Sequence, residues 1–338
     1  MDGQDAQVLA AARRWAVEGH RFALVTVART WGSAPRPPGA WMALRDDGLV
    51  QGSVSGGCIE ADLIERTLRG DFAAGPPFAV KYGVTPEEAR RYGLPCGGTL
   101  ELVVEPSPDA ASLASLDARI AAGERVRRSV TVGRTGVVLA PASVGEAPVW
   151  DGATLATVHG PARRLLIVGA GQISVYLAQM AQALDYRVFV CDPRSEYTDA
   201  WDVPGTTLLP GMPDDAALAL GLDAGTAVVA LTHDPRLDDL VLIEALKSPA
   251  FYVGALGSRR NNRQRRERLV RNGDLSPAEA ARLHGPVGLP LGSHTPPEIA
   301  VSILAEMTAV KNGVAAGRAP LRPEAADTAS VATAGCAG

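Results

Sequence analysis

The sequence predicts an α/β protein, with a doubly wound parallel sheet in the C-terminal half and a smaller α+β domain before it. Residues 165–168 are a continuous apolar run, Gly169, Ala170 and Gly171 make a tight turn, and Ile173, Leu177, Met180 and Leu184 follow at helical spacing. A second apolar run, 188–190, leads to Asp192, about twenty residues past the first glycine, where a dinucleotide-binding βαβ unit places the acid that holds a ribose hydroxyl. Further apolar runs at 226–232 and 251–256 flank a helical stretch at 238–246 and continue the alternation. This is a Rossmann-type pattern. Gly169 allows the turn, Gly171 lets a phosphate approach the backbone, and the free amides at the helix start favour an anion. Ser174 stands at the third-glycine position, so a turn that binds no dinucleotide remains an alternative.

A chain of 338 residues has room for two ordinary cores. The expected divisions are an N-terminal domain at 1–106, a linking region with short strands at 107–160, the Rossmann-like domain at 161–312 and a disordered tail at 313–338. The tail reading rests on its Ala, Pro and Gly content without periodicity. A net charge of -4 argues against nucleic acid, which wants a basic face. No basic segment followed by an apolar core opens the chain, and no apolar run approaches the roughly 18 residues of a bilayer span. Neither a leader nor a membrane segment is expected. Cys58, Cys96, Cys191 and Cys336 do not form the dense pattern of a secreted disulfide framework, so a cytoplasmic setting is expected.

In order, 9–17 reads as a helix and the β-branched run 21–28 as a buried strand. The loop 30–39 carries Trp31, Ser33 and Arg36, polar and aromatic groups placed where function concentrates, although a proline-stiffened connection explains them equally well. Strands at 41–44 and 49–54 precede SVSGGCIE, residues 53–60, which opens a helix continuing to 68. A strand, a glycine turn and a helix direct backbone amides at an anion, so Ser55, Gly56 and Gly57 are candidate ligand contacts. Cys58 falls in the first turn of that helix, where a thiol pKa is lowered. The plain alternative is a small cysteine packed under the turn. A strand at 78–82 and a helical 85–93 lead to Cys96, Gly97 and Gly98, a second glycine turn that opens an alternating strand. Neither cysteine has the paired spacing of a structural zinc site.

A helix at 107–122 and short strands at 129–139 and 153–159 follow. Past the Rossmann turn, Arg194 beside Asp192 reads as a solvated charge or a phosphate neighbour. His233 and Asp234 close the strand at 226–232, on the ligand-binding edge of such sheets. Gly257, Ser258 and Arg259 begin a basic stretch, 257–268, whose first residues suit an anion and whose other arginines are expected to face solvent or a partner. Finally, Thr295, Pro296, Pro297 and Glu298 start a helix with apolar Ile299, Ile303, Met307 and Val310.

The stretches GSVSGGCIEADL, GLPCGGTLELVVE, LLIVGAG with VCDPR, YVGALGSRRNNRQRRERL and GPVGLPLGSHTPPEIAVSILAEM resemble, in order, the XdhC/CoxI family of xanthine dehydrogenase accessory factors. The resemblance implies an XdhC domain joined to a Rossmann domain. It also implies a chaperone that holds the molybdenum cofactor, a phosphate-bearing pterin, during sulfuration by a cysteine desulfurase and delivers it to an apo molybdenum hydroxylase. Under that reading the glycine turns, with Ser33, Arg36 and Trp31, contact the pterin, Cys58 and Cys96 ligate molybdenum, and 259–268 is a docking surface. A homodimer is expected. Two other readings stay open: an NAD(P)- or FAD-dependent oxidoreductase using Asp192 for ribose and His233 as acid or base, and a Rossmann domain kept as scaffold.

Overall fold

The computed structural model describes residues 3–31, 36–83, 99–143, 145–273 and 275–314, with Cys58 described as backbone alone. The chain divides into two units near Arg163. In the first, α1 (Gly3–Val17) precedes β1 (Phe22–Trp31), β2 (Trp41–Arg45), β3 (Val50–Gly52), α2 (Cys58–Leu68), β4 (Phe78–Tyr82) and β5 (Thr99–Pro106). The strands form one sheet in the order β3-β2-β1-β5-β4, antiparallel throughout. β1 is apolar without alternation because both its faces are covered. Ala23, Val25 and Val27 pack in a core with Ile59 and Leu63 of α2, while Phe22 and Leu24 pack in another with Val8, Leu9 and Trp15 of α1.

The stretch 107–160 forms α3 (Ala110–Ala121) and a second antiparallel sheet of β6 (Val126–Thr131), β7 (Val137–Pro141), β8 (Val149–Trp150) and β9 (Thr154–His159), ordered β7-β6-β9-β8. The strand expected at 129–139 is two strands, because Gly133 and Gly136 at φ +75° and +97° reverse the chain between them. A buried bidentate pair joins the two sheets: Arg128 of β6 donates to both carboxylate oxygens of Glu105 on β5, at 2.8 and 2.7 Å. The expected helix at 85–93 and most of the tail lie outside the described residues.

The second unit contains β10 (Arg163–Val168), α4 (Gln172–Ala183), β11 (Tyr186–Cys191), α5 (Ser195–Thr198), β12 (Thr207–Leu209), α6 (Pro213–Leu220) and β13 (Thr226–Ala230). It continues through α7 (Pro235–Lys247), β14 (Tyr252–Ala255), α8 (Arg259–Asn272), α9 (Pro277–Ala281), β15 (Leu283–His284) and α10 (Pro296–Lys311). The strands lie in the order β12-β11-β10-β13-β14-β15, with parallel pairing across the sheet. Numbered within the unit, this is 3-2-1-4-5-6, the Rossmann order, with its switch point between β10 and β13. The α4 stripe differs from the expected one: Ser174, Leu177, Ala178 and Ala181 are buried, and Leu184 is exposed. Small residues on this stripe suit the close approach of α4 to α10.

Candidate functional site

At the switch point Gly169 adopts φ +104°, and a Cβ there would lie 3.1 Å from the backbone nitrogen of Thr232, so the turn runs tight against the end of β13. Space in front of Gly171 is open. Ser174 is accommodated at the third-glycine position because its buried hydroxyl donates to the Gly169 carbonyl at 2.5 Å. Asp192 differs from the expectation. Its carboxylate accepts from the Ala170 and Arg194 amides at 2.9 and 3.1 Å and from Nε and Nη2 of Arg194, each at 2.8 Å. Burial pushes the acid up, but these donors outweigh it and hold it below the usual carboxylate range. A ribose hydroxyl would therefore compete with a bound guanidinium. Arg194 is not a solvated charge; it spans Asp192 and lies 4.1 Å over the Tyr197 ring. His233 stands exposed, in the left-handed region at φ +62°.

The basic stretch is partly internal. Arg265 is buried, donating to Asp238 at 3.0 Å, Asn262 Oδ1 at 2.9 Å and the Leu256 carbonyl at 2.9 Å, which corrects the expectation that it faces solvent. Asp238 in turn accepts from the Thr232 hydroxyl at 2.6 Å. Asn262 donates to the carbonyls of Gly257 and Ser258 at 3.0 and 3.2 Å, and Ser258 caps α8 by accepting from the Asn261 amide. This chain ties the ends of β13 and β14 together from beneath. Gly257, Ser258 and Arg259 thus occupy a fixed turn, with the Arg259 side chain exposed above it.

Arg259 stands at the rim of a cleft of about 600 Å³ beyond the ends of β14 and β15. Its far wall is the loop 285–293, with Ile299 and Ser302 of α10 behind it. The loop is pinned. Glu306, buried, accepts from the Tyr252 hydroxyl at 2.7 Å, the Gly288 amide at 2.8 Å and His284 Nδ1 at 3.1 Å. Burial opposes ionisation there, but those donors hold the Glu306 carboxyl at about 2. An ionised carboxylate only accepts, so Nδ1 of His284 carries the proton. Ser302 donates to the Leu289 carbonyl, and the Leu289 amide returns a bond to Ser302 at 3.1 Å. Ser302 and Glu306 are absent from the sequence candidates, and Arg266, expected to face solvent or a partner, instead donates to the Leu283 and Gly285 carbonyls. The available signals were a glutamate on an otherwise apolar helix face and three glycines with two prolines in GPVGLPLG.

In the first unit the SVSGGC turn also differs from expectation. Its amides are not open to an external anion: those of Val54, Ser55, Gly56 and Gly57 donate to the Glu60 carboxylate at 3.0, 2.7, 2.7 and 2.8 Å. The Ser53 and Ser55 hydroxyls join them. Burial raises the Glu60 carboxyl, yet the hydroxyl and amide donors bring it to about 2. Cys58 is the first residue of α2. Trp31 ends β1, 44% exposed, and Arg36 lies 3.7 Å from Asp5. Ser33, Cys96, Gly97 and Gly98 lie outside the described residues, among which no group of three His, Cys, Asp or Glu stands ready for a metal ion.

Residues 15–83 match the XdhC and CoxI family, and residues 165–307 match the XdhC Rossmann domain. The chain is 29% identical over 304 residues to the molybdenum cofactor insertion chaperone PaoD of Escherichia coli K12, across 88% of this chain and 87% of that one. It is 27% identical over 327 residues to a probable xanthine dehydrogenase subunit of Bacillus subtilis 168, across 86% and 94%. It is 28% identical to the uncharacterized protein YqeB of E. coli K12, of whose length it spans 44%. A crystal structure described as a xanthine dehydrogenase from Bacillus halodurans shares the fold, with a TM-score of 0.72 at 24% identity over 93% of this chain and 98% of that one.

Proposed function

The chain belongs to the XdhC and CoxI family, and on that premise we propose that it is a molybdenum cofactor-binding chaperone that serves a xanthine dehydrogenase-type molybdenum hydroxylase. The observation that carries this reading is the likeness to PaoD, which extends through both units. The cofactor is cargo here: a pterin with a phosphate, carrying molybdenum, held while a cysteine desulfurase serves as its sulfur source. The partners are that desulfurase and the apo-hydroxylase, and the chaperone works as a homodimer in the cytoplasm.

The residues suit such cargo in two respects. The second unit offers guanidinium and backbone groups beside a largely aliphatic lining, chemistry that suits a phosphate-bearing ring. The first carries Cys58 and Cys96, which as thiolates are soft ligands able to hold molybdenum transiently. Ser33, Arg36, Ser55, Gly56, Gly57, Gly97 and Gly98 would line a pterin seat around those cysteines, an alternative to the cleft of the second unit. Because Glu60 fills the Ser55–Gly57 amides, an anion would bind there by displacing that carboxylate.

A second reading, an oxidoreductase with NAD(P) or FAD at the Gly169 turn, is favoured by one observation, the open space over Gly171 at the switch point. The engagement of Asp192 by Arg194 opposes it.

Anaerobic titration with molybdenum cofactor separates them, bound pterin being measured by the fluorescence of its oxidised product. Stoichiometric binding that is lost in Cys58→Ala and Cys96→Ala supports the chaperone. Absence of binding, with NAD(P) or FAD retained instead, overturns it.

A further inference from the structure

We infer that the cleft beyond β14 and β15 is a built site for a flat heterocycle bearing a monophosphate, with the ring against the 285–293 loop and Ile299 and the phosphate on Arg259. The identity of the heterocycle as the pterin rests on the chaperone reading; the site itself does not. Four observations lead to it. Parallel sheets bind ligands outside the carboxyl ends of their strands, and β14 and β15 end here. The volume of about 600 Å³ lies within the roughly 300–1,000 Å³ of small-ligand pockets. In a protein of net charge -4 the lining holds two arginines, Arg259 and Arg266, and no carboxylate, so the local field favours an anion. The remaining lining is aliphatic and proline side chains with glycine backbone, which suit an apolar ring, and two serines, Ser293 and Ser302.

The site is also preformed. Arg266 donates to the carbonyls of Leu283 and Gly285 at 2.8 and 3.2 Å and so positions the start of the loop. Glu306 fixes Gly288 and Ser302 fixes Leu289. Gly288 adopts φ +94°, and a Cβ there would lie 2.6 Å from Ser302 Oγ, so the loop reaches α10 only with glycine at this position. A wall held at each of these points loses little freedom on binding. The site is separate from the Gly169 turn: β14 is the second neighbour of β10, so strand spacing alone sets them about 10 Å apart.

The test uses two probes on the full chain, the oxidised pterin phosphate released from molybdenum cofactor and AMP, each with its dephosphorylated counterpart. Arg259 is exposed, so Arg259→Glu leaves packing alone; Ile299→Trp fills the cleft, and circular dichroism checks that both variants fold. At least one phosphate probe is expected to bind the parent protein. Arg259→Glu should weaken it at least tenfold while the dephosphorylated form is unaffected, and Ile299→Trp should remove both. A pterin preference identifies the cargo, and an AMP preference identifies a nucleotide. Parent-like affinity in both folded variants, or no binding of either probe by the parent protein, overturns the site. Intact cofactor held equally by the parent protein and both variants would sink this site and leave the chaperone reading standing. AMP binding lost in the variants, with no cofactor bound, would do the reverse.

Discussion

Glu60 shows how one side chain decides what a glycine turn does. Four amides and two hydroxyls converge on it, so the anion such a turn attracts is supplied from within the chain. Its folded pKa of about 2 lies below the ordinary carboxyl value of 4.5. The depressed value fixes the sign: the stabilisation is fully present above pH 4.5 and fades as pH falls from there toward 2. Glu60→Gln keeps one acceptor and loses the charge, and should cost about 1–3 kcal/mol at pH 7. Urea unfolding checks this, and the gap between parent and variant should close as the buffer is taken below pH 4. A constant gap would show that the charge is not what the turn binds.

Among the elements, the junction of the two sheets in the first unit depends on Arg128 and Glu105. Both are almost fully buried, and the guanidinium lies 5.5 Å from the Trp41 ring, whose other neighbour, His159, is 4.3 Å away. Arg128→Met leaves a buried carboxylate alone and should destabilise by about 3–5 kcal/mol, whereas Arg128→Met with Glu105→Met should recover most of that loss. Chemical denaturation of the three proteins tests it; equal losses in the single and double variants would place the energy elsewhere. This pair also marks the limit of sequence reading. Apolar runs, glycine turns and the N-cap at Thr295 betray the strands and helices, because those signals repeat within a few residues. The partner of Arg128 lies 23 residues away on another sheet, and Arg265 reads as one more arginine in a basic run until the fold brings it to Asp238. The Gly169–Gly171 turn is legible as a turn, but no local signal shows Arg194 folding back onto Asp192. The cleft at 285–293 is made by three elements meeting, and only its glycines and prolines are visible in one dimension.

For the whole molecule, each unit has its own core: the clusters around β1 belong to the first and the cluster around β10 and β13 to the second. Two cores predict two unfolding transitions in calorimetry, and each carries a distinct label. His159, in the first unit, is buried, and that burial, with the Arg128 charge, drops its imidazole from 6.5 to about 3. The unfolded chain therefore takes up a proton that the folded unit refuses. Stability is full above pH 6.5 and declines below it, by up to about 1.4 kcal/mol per pH unit. Lowering the pH from 7 to 5 should move the first unit's transition down, and His159→Phe should remove most of that movement. The cleft at 285–293 labels the second unit: a ligand at about 100 times its Kd adds about 2.7 kcal/mol to the fold that binds it. The phosphate probe should therefore raise the other transition and leave the acid-sensitive one in place. A single transition that answers to both acid and ligand would mean that the two cores unfold as one.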